Sequence, residues 1–107
     1  MFNVVFLIVF HIFQFSDRVE FTALNKGSET ITLKIKGFDQ ILVPANAETV
    51  LRIDPGVDVF GTTLDDNHEL SDDYLKLFTV DSSHNGQEID LVKMLKQARK
   101  EARKNKS

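Results

Sequence analysis

The chain has 107 residues, 42% of them hydrophobic, and no cysteine. That length suits one domain burying roughly two-thirds of its unfolded surface, and the missing thiol excludes disulfides, zinc–thiolate sites and cysteine nucleophiles. The formal net charge of −3 hides an asymmetry: residues 1–92 carry six Lys/Arg against fifteen Asp/Glu, a balance of −9, while residues 93–107 carry seven against one, a balance of +6.

The chain opens with MFNVVFLIVFHIF, which is apolar except for Asn3 and His11 and shorter than the about 20 residues a membrane-spanning helix needs. Two readings stay open. Branched Val4, Val5, Ile8, Val9 and Ile12 favour a strand. Its two apolar faces would need a covering helix or a second chain, with Phe6, Ile8 and Phe10 as contact residues. The alternative is a signal peptide or anchor over residues 1–16, although no Lys or Arg precedes the apolar centre and no small-x-small cleavage pattern follows. A cytoplasmic location goes with the first reading and export with the second. The membrane enters only if residues 1–13 are an anchor.

From Arg18 the pattern is that of short strands. VEFTAL alternates Val19, Phe21 and Ala23 against Glu20, Thr22 and Leu24, and ETITLKIKG sets Ile31, Leu33 and Ile35 inward against Thr30, Thr32, Lys34 and Lys36. Asn25-Lys26-Gly27-Ser28 between them reads as the turn of a hairpin. Residues 37–40 form the next turn, and Ile41 to Val43 a short strand stopped by Pro44. ETVLRID places Val50 and Arg52 opposite Leu51 and Ile53, Pro55-Gly56 turns the chain, and Val57 to Gly61 is a further strand. Asp54 to Asp73 contain seven acidic residues and no Lys or Arg. YLKLFTV then alternates Tyr74, Lys76 and Phe78 against Leu75, Leu77 and Thr79, as a strand entering the core.

Past the polar stretch 81–86, Asn85 and Glu88 have the spacing of a capping box. Leu91, Met94 or Leu95, Ala98 and Ala102 follow at helical spacing, so a helix is expected over residues 85–104. Lys93, Lys96, Arg99, Lys100, Arg103 and Lys104 crowd its later turns, where positive charge complements the helix dipole. Bulky apolar residues stop at Leu95, so the first turns are expected to dock and the last to project. The expected architecture is one domain over 1–107: a mainly antiparallel β-sandwich of about seven short strands at 17–81, with a C-terminal α-helix.

The chemistry-bearing residues are few. His11, His68 and His84 are the only imidazoles, and no G-x-S-x-G accompanies them; His68 and His84 read as solvated loop residues and His11 as a core or interface residue. Asp65, Asp66, Glu69 and Asp72 offer the hard oxygen ligands calcium prefers, without the EF-hand glycine and glutamate at their required positions. Against that cation site stands a solvated acidic loop that keeps a sheet edge soluble. Lys96, Arg99, Lys100 and Arg103 permit phosphate contact, but lack companions that read bases. Nine of the ten aromatic residues are Phe and none is Trp, a usage that favours core filling over a nucleic-acid platform.

Three pieces in the same order, VEFTALN, VPANAETVLRIDPG and DDYLKLF with a following Asp90-Leu91, carry a resemblance. Together they resemble the β-rich accessory region that follows the caspase-like protease domain in some fungal and bacterial proteins, over roughly Arg18 to Leu95. The protease portion with its histidine and cysteine has no counterpart here, so no catalytic residue carries over. The resemblance implies an accessory sandwich that packs on or regulates a partner, with residues 19–25 and 74–78 as structural strands.

The expectation is therefore a non-enzymatic interaction or assembly module without a cofactor or small-molecule substrate, contacting a protein partner or further copies of itself. The alternatives are an exported ligand- or cation-binding sandwich using loop 65–73, and a nucleic-acid binder using the basic helix.

Overall fold

The computed structural model describes residues 18–106. The expected strand or signal at residues 1–16, with Phe6, Ile8 and Phe10, lies outside them. Seven strands form two sheets: β1 (Val19–Leu24), β2 (Ile31–Ile35), β3 (Ile41–Val43), β4 (Glu48–Ile53), β5 (Asp58–Thr63), β6 (Leu75–Thr79) and β7 (Glu88–Asp90). The helix α1 (Leu91–Lys106) follows β7 directly. A three-stranded sheet runs β4-β1-β7 and a four-stranded sheet β3-β2-β5-β6. Among the described residues, only the β1–β7 pair is parallel. The expected mainly antiparallel sandwich with a C-terminal helix is the fold observed.

The alternation of apolar residues explains the layers. Val19, Phe21, Ala23, Leu51, Ile53 and Ile89 face inward from the three-stranded sheet and meet Ile31, Leu33, Ile35, Val43 and Val59 from the four-stranded one, all in one buried core. At about 25 cal/mol per Å² of apolar surface removed from water, this burial is the main force holding the sheets face to face. The outer residues of β1 and β4 pair by charge instead: Glu20 lies opposite Arg52, with 3.4 Å between carboxylate and guanidinium.

The expected β1–β2 hairpin is not formed, because β1 pairs with β4 and β7 while β2 pairs with β3 and β5. Two strands side by side in one sheet would point their apolar stripes the same way, and other strands would have to cover both. Placed in opposite sheets, the stripes cover each other. Asn25 makes the step across. It is 1% exposed, and its amide nitrogen lies 2.8, 2.9 and 3.1 Å from the carbonyl oxygens of Glu29, Val43 and Pro44. Its side-chain oxygen accepts from the Gly27 N–H at 3.0 Å. A residue read as a turn former is thus a buried polar tie between the end of β1 and the end of β3.

β6 also departs from simple alternation. The β5–β6 register shifts between Val59 and Phe60, a bulge that leaves Leu77 without a partner and turns it to the same side as Phe78. Phe78 meets Phe21 of the opposite sheet edge-on, with ring centroids 5.6 Å apart. Leu77 packs where Gly61 has no side chain: a Cβ there would lie 2.9 Å from Leu77 Cδ1 and 3.1 Å from Leu33 Cδ2. β6 is an edge strand, and Leu77 is half-buried rather than a fully buried core residue. The helix α1 packs against β6 and covers it.

The turn after β6 differs from expectation as well. Asp81, not Asn85, caps a short 3₁₀ turn at Ser82–His84, with the Asp81 N–H donating to His84 Nδ1 at 3.0 Å. His84 stacks edge-on against Phe78 at 5.0 Å, so it is a packed structural residue and not a solvated one. Asn85 accepts from the Glu20 N–H at 3.0 Å. Glu88 lies in β7, and α1 begins at Leu91, where the Asp90 carboxylate accepts from the Lys93 N–H at 3.1 Å and favours the positive end of the helix dipole. Leu91 and Leu95 are buried, as their spacing predicts.

Candidate interaction surface

A sheet residue that points away from the core meets water, another element or a partner, and the outer face of the four-stranded sheet is not dressed for water alone. Thr32 stands on it between Leu42 of β3 and Thr62 of β5, and Lys34 lies opposite Phe60. Thr32 and Thr62 are both fully buried, which requires their hydroxyls to be paired. The Thr32 hydroxyl accepts from Gln40 Nε2 at 2.8 Å and lies 3.2 Å from the Tyr74 hydroxyl. Gln40 also reaches the Tyr74 oxygen at 3.2 Å. This small network holds the Tyr74 ring on the face, and Lys34 Nζ sits 5.7 Å from the ring centroid, within cation–π range.

The turn between β2 and β3 completes the surface. The Phe38 N–H donates to the Ile35 carbonyl at 3.1 Å, and Gly37 takes φ +87 with open space around it, a backbone setting that a side-chain-bearing residue adopts only with strain. The turn presents Phe38 outward at 46% exposure, and Leu42, opposite Thr32 on β3, is 52% exposed. Lys34, Lys36, Phe38, Phe60 and Tyr74 surround an open concavity of about 630 Å³, within the size range of ligand-binding clefts. At its far margin Lys76 Nζ lies 3.4 Å from the Asp58 carboxylate. The Thr79 hydroxyl donates to that carboxylate at 2.6 Å and, with Lys76 nearby, holds the Asp58 pKa below the ordinary carboxylate value against an opposing desolvation.

The acidic residues read as cation ligands do not converge. Among the described residues, no three His, Asp or Glu side chains form a group that could hold a metal ion. The hairpin narrows to a tight tip instead: Leu64 bridges Leu70, and the Asp65 carboxylate accepts from the N–H groups of Asn67 and Glu69 at 2.8 and 3.0 Å. Asp66 and Glu69 face solvent. Asp72 accepts from the Thr62 hydroxyl and from Arg99 Nε, the latter at 3.1 Å.

Arg99 therefore plays a different part from the one its sequence suggests. Its second nitrogen donates to the Thr63 hydroxyl at 2.9 Å, so the guanidinium clamps α1 onto the β5–β6 hairpin. This contact explains why the helix stays docked past Leu95. The acidic body and basic tail meet within the chain at this point. Lys96, Lys100 and Arg103 are exposed along α1.

Lys34 and Lys36 were legible as outward residues, because strict alternation with the core residues Leu33 and Ile35 puts them there. Phe38, Phe60 and Tyr74 were not legible as a cluster, since they come from three separate segments and Phe usually fills cores. Among the described residues, fold and face together define a seven-stranded β-sandwich with a solvent-facing aromatic and cationic surface. No family model, curated protein or solved structure matches the chain.

Proposed function

We propose that this protein is a non-enzymatic interaction module that engages a protein partner through the outer face of its four-stranded sheet. The observation that carries this reading is the exposure of Phe38 at a concavity it shares with Tyr74, whose hydroxyl is held by buried Thr32 and by Gln40. Exposed apolar residues that stand singly are ordinary, whereas a cluster around a concavity is the common form of a contact site. Aromatic side chains with a fixed polar end suit such a site, because they add contact area at little cost in side-chain entropy. The resemblance of residues 19–25 and 74–78 to strands of a protease-associated accessory region supports the same kind of role.

A photo-crosslinking residue placed at Phe38, with Arg18 as a control position on exposed surface elsewhere, tests the proposal in native-host extract. The expected result is a discrete protein adduct from position 38, absent from position 18 and lost on Leu42→Glu. Equal labelling from both positions would sink it.

A further inference from the structure

We infer that the partner on this face is a second copy of the same chain, in a two-fold face-to-face dimer whose acidic hairpin tips sit over the lysines of the opposite protomer; the inference rests on the interaction reading above. Charge is distributed unevenly along the sheet. The tip beyond Leu64 carries Asp66 and Glu69, both exposed, with Leu70 beside them at 47% exposure. The opposite end of the four-stranded sheet carries Lys34 and Lys36 around the concavity. From Thr30, whose carbonyl pairs with Leu64 at the tip end, to Lys36 at the other, the strand covers about 20 Å at about 3.3 Å per residue. Asp58 does not cancel the lysine end, since Lys76 pairs with it; Asp39 in the turn is the remaining carboxylate there.

A two-fold axis lying between two such faces and perpendicular to the strands reverses strand direction. It brings each acidic tip onto the partner's lysine end, and both contacts form at once because the interface is the same patch on both protomers. Tyr74, bonded to Thr32 between the two ends, would meet its own copy near the axis. Leu70, an exposed apolar residue next to Glu69, matches a concavity lined by Phe38 and Phe60 and rimmed by lysines. The bonds from the Asp65 carboxylate to the Asn67 and Glu69 N–H groups hold the tip in shape before contact, which lowers the ordering cost of association. A polyanion such as single-stranded nucleic acid also suits aromatic rings and lysines, but it would approach residues 1–92, whose balance is −9. A local acidic tip is a better match than a long anionic strand.

Sedimentation velocity at about 0.15 M salt, where exposed charges still act over about 8 Å, tests the inference on three chains. Wild type should sediment as a dimer of the 12.2 kDa chain. Lys34→Glu/Lys36→Glu and Asp66→Lys/Glu69→Lys each set like charges against each other at both contacts. Each should weaken self-association by about a hundredfold or more. An equimolar mixture of the two variants should recover a dimer, since opposite charges then face each other at both ends, and that recovery also shows that both variants fold. A monomeric wild type, a dimer that persists in both variants, or a mixture that stays monomeric overturns the inference. A monomeric wild type that still gives an adduct of another mass from position 38 leaves the interaction reading standing and removes only the second copy. Oligo(dT) binding by a monomeric wild type, lost in Lys34→Glu/Lys36→Glu, would replace the copy with a nucleic-acid strand.

Discussion

The two sheets share a core but treat their outer faces differently. On the three-stranded sheet, Glu20 and Arg52 pair across β1 and β4, and Val50 is the one large apolar residue among the described ones that is well exposed there. On the four-stranded sheet, buried Thr32 and Thr62 support Tyr74 and Asp72 from below, and Phe38 and Leu42 are exposed. An outer face finished with surface ion pairs gains little stability from them, typically under about 1 kcal/mol each, and asks for nothing but water. A face that commits partly buried hydrogen bonds to positioning an aromatic ring is organised beyond what solubility requires. That difference is why the second sheet is the one proposed as the contact face.

The most forceful challenge to this contrast goes through the core that both sheets share. Phe21→Ala should destabilise the fold by about 3–5 kcal/mol, because Phe21 is 2% exposed and packs edge-on against Phe78 of the other sheet. Phe38→Ser removes the same kind of side chain from the outer face and should change stability by no more than about 0.5 kcal/mol. Urea unfolding of both variants checks the pair. A comparable loss from Phe38→Ser would mean that this ring belongs to the core rather than to a contact surface.

Asn25→Ala comes next, at about 2–4 kcal/mol, since it leaves buried carbonyls and the Gly27 N–H without their partner. Its effect should appear in hydrogen exchange as faster opening at the ends of both β1 and β3, the two strands it ties. Faster exchange in β1 alone would show that the tie between sheets is weak.

The smallest effect concerns the margin of the four-stranded face. Thr79→Val removes the largest cause of the low Asp58 pKa, so that pKa should rise toward its ordinary value in a carboxyl NMR titration. A carboxylate whose folded pKa is depressed contributes stability above its unfolded pKa, and the contribution is lost as pH falls through the folded value. The difference between wild type and Thr79→Val in thermal melts should therefore be present at neutral pH and vanish in strong acid. An unchanged Asp58 titration would show that Lys76, not the Thr79 hydroxyl, sets its charge.

Much of the sandwich could be read directly. Period-two alternation in VEFTAL, ITLKI and ETVLRI assigns the inward side chains because a strand has only two faces, and Leu91 and Leu95 follow from helical spacing in the same way. Which strand lies beside which could not be read. Alternation is a property of one strand, and the β1–β2 connection reads equally well as a hairpin or as a step between sheets. Phe78 departs from its expected face because a bulge changes the face of the residues beyond it without any local mark in the sequence. The proposed contact face was hidden for a related reason: Phe38, Phe60 and Tyr74 are each ordinary where they stand in the chain.

Local sequence thus set the strand class, the inward residues, the absence of thiol chemistry, and the opposition between an acidic body and a basic tail. It took the folded chain to carry Asn25 across between sheets, to pair Arg99 with Asp72, and to gather three separated aromatic rings beside two lysines. The physical reason is range. Backbone sterics and side-chain periodicity act between near neighbours in the chain, whereas burial and charge pairing act between whatever surfaces the fold brings together.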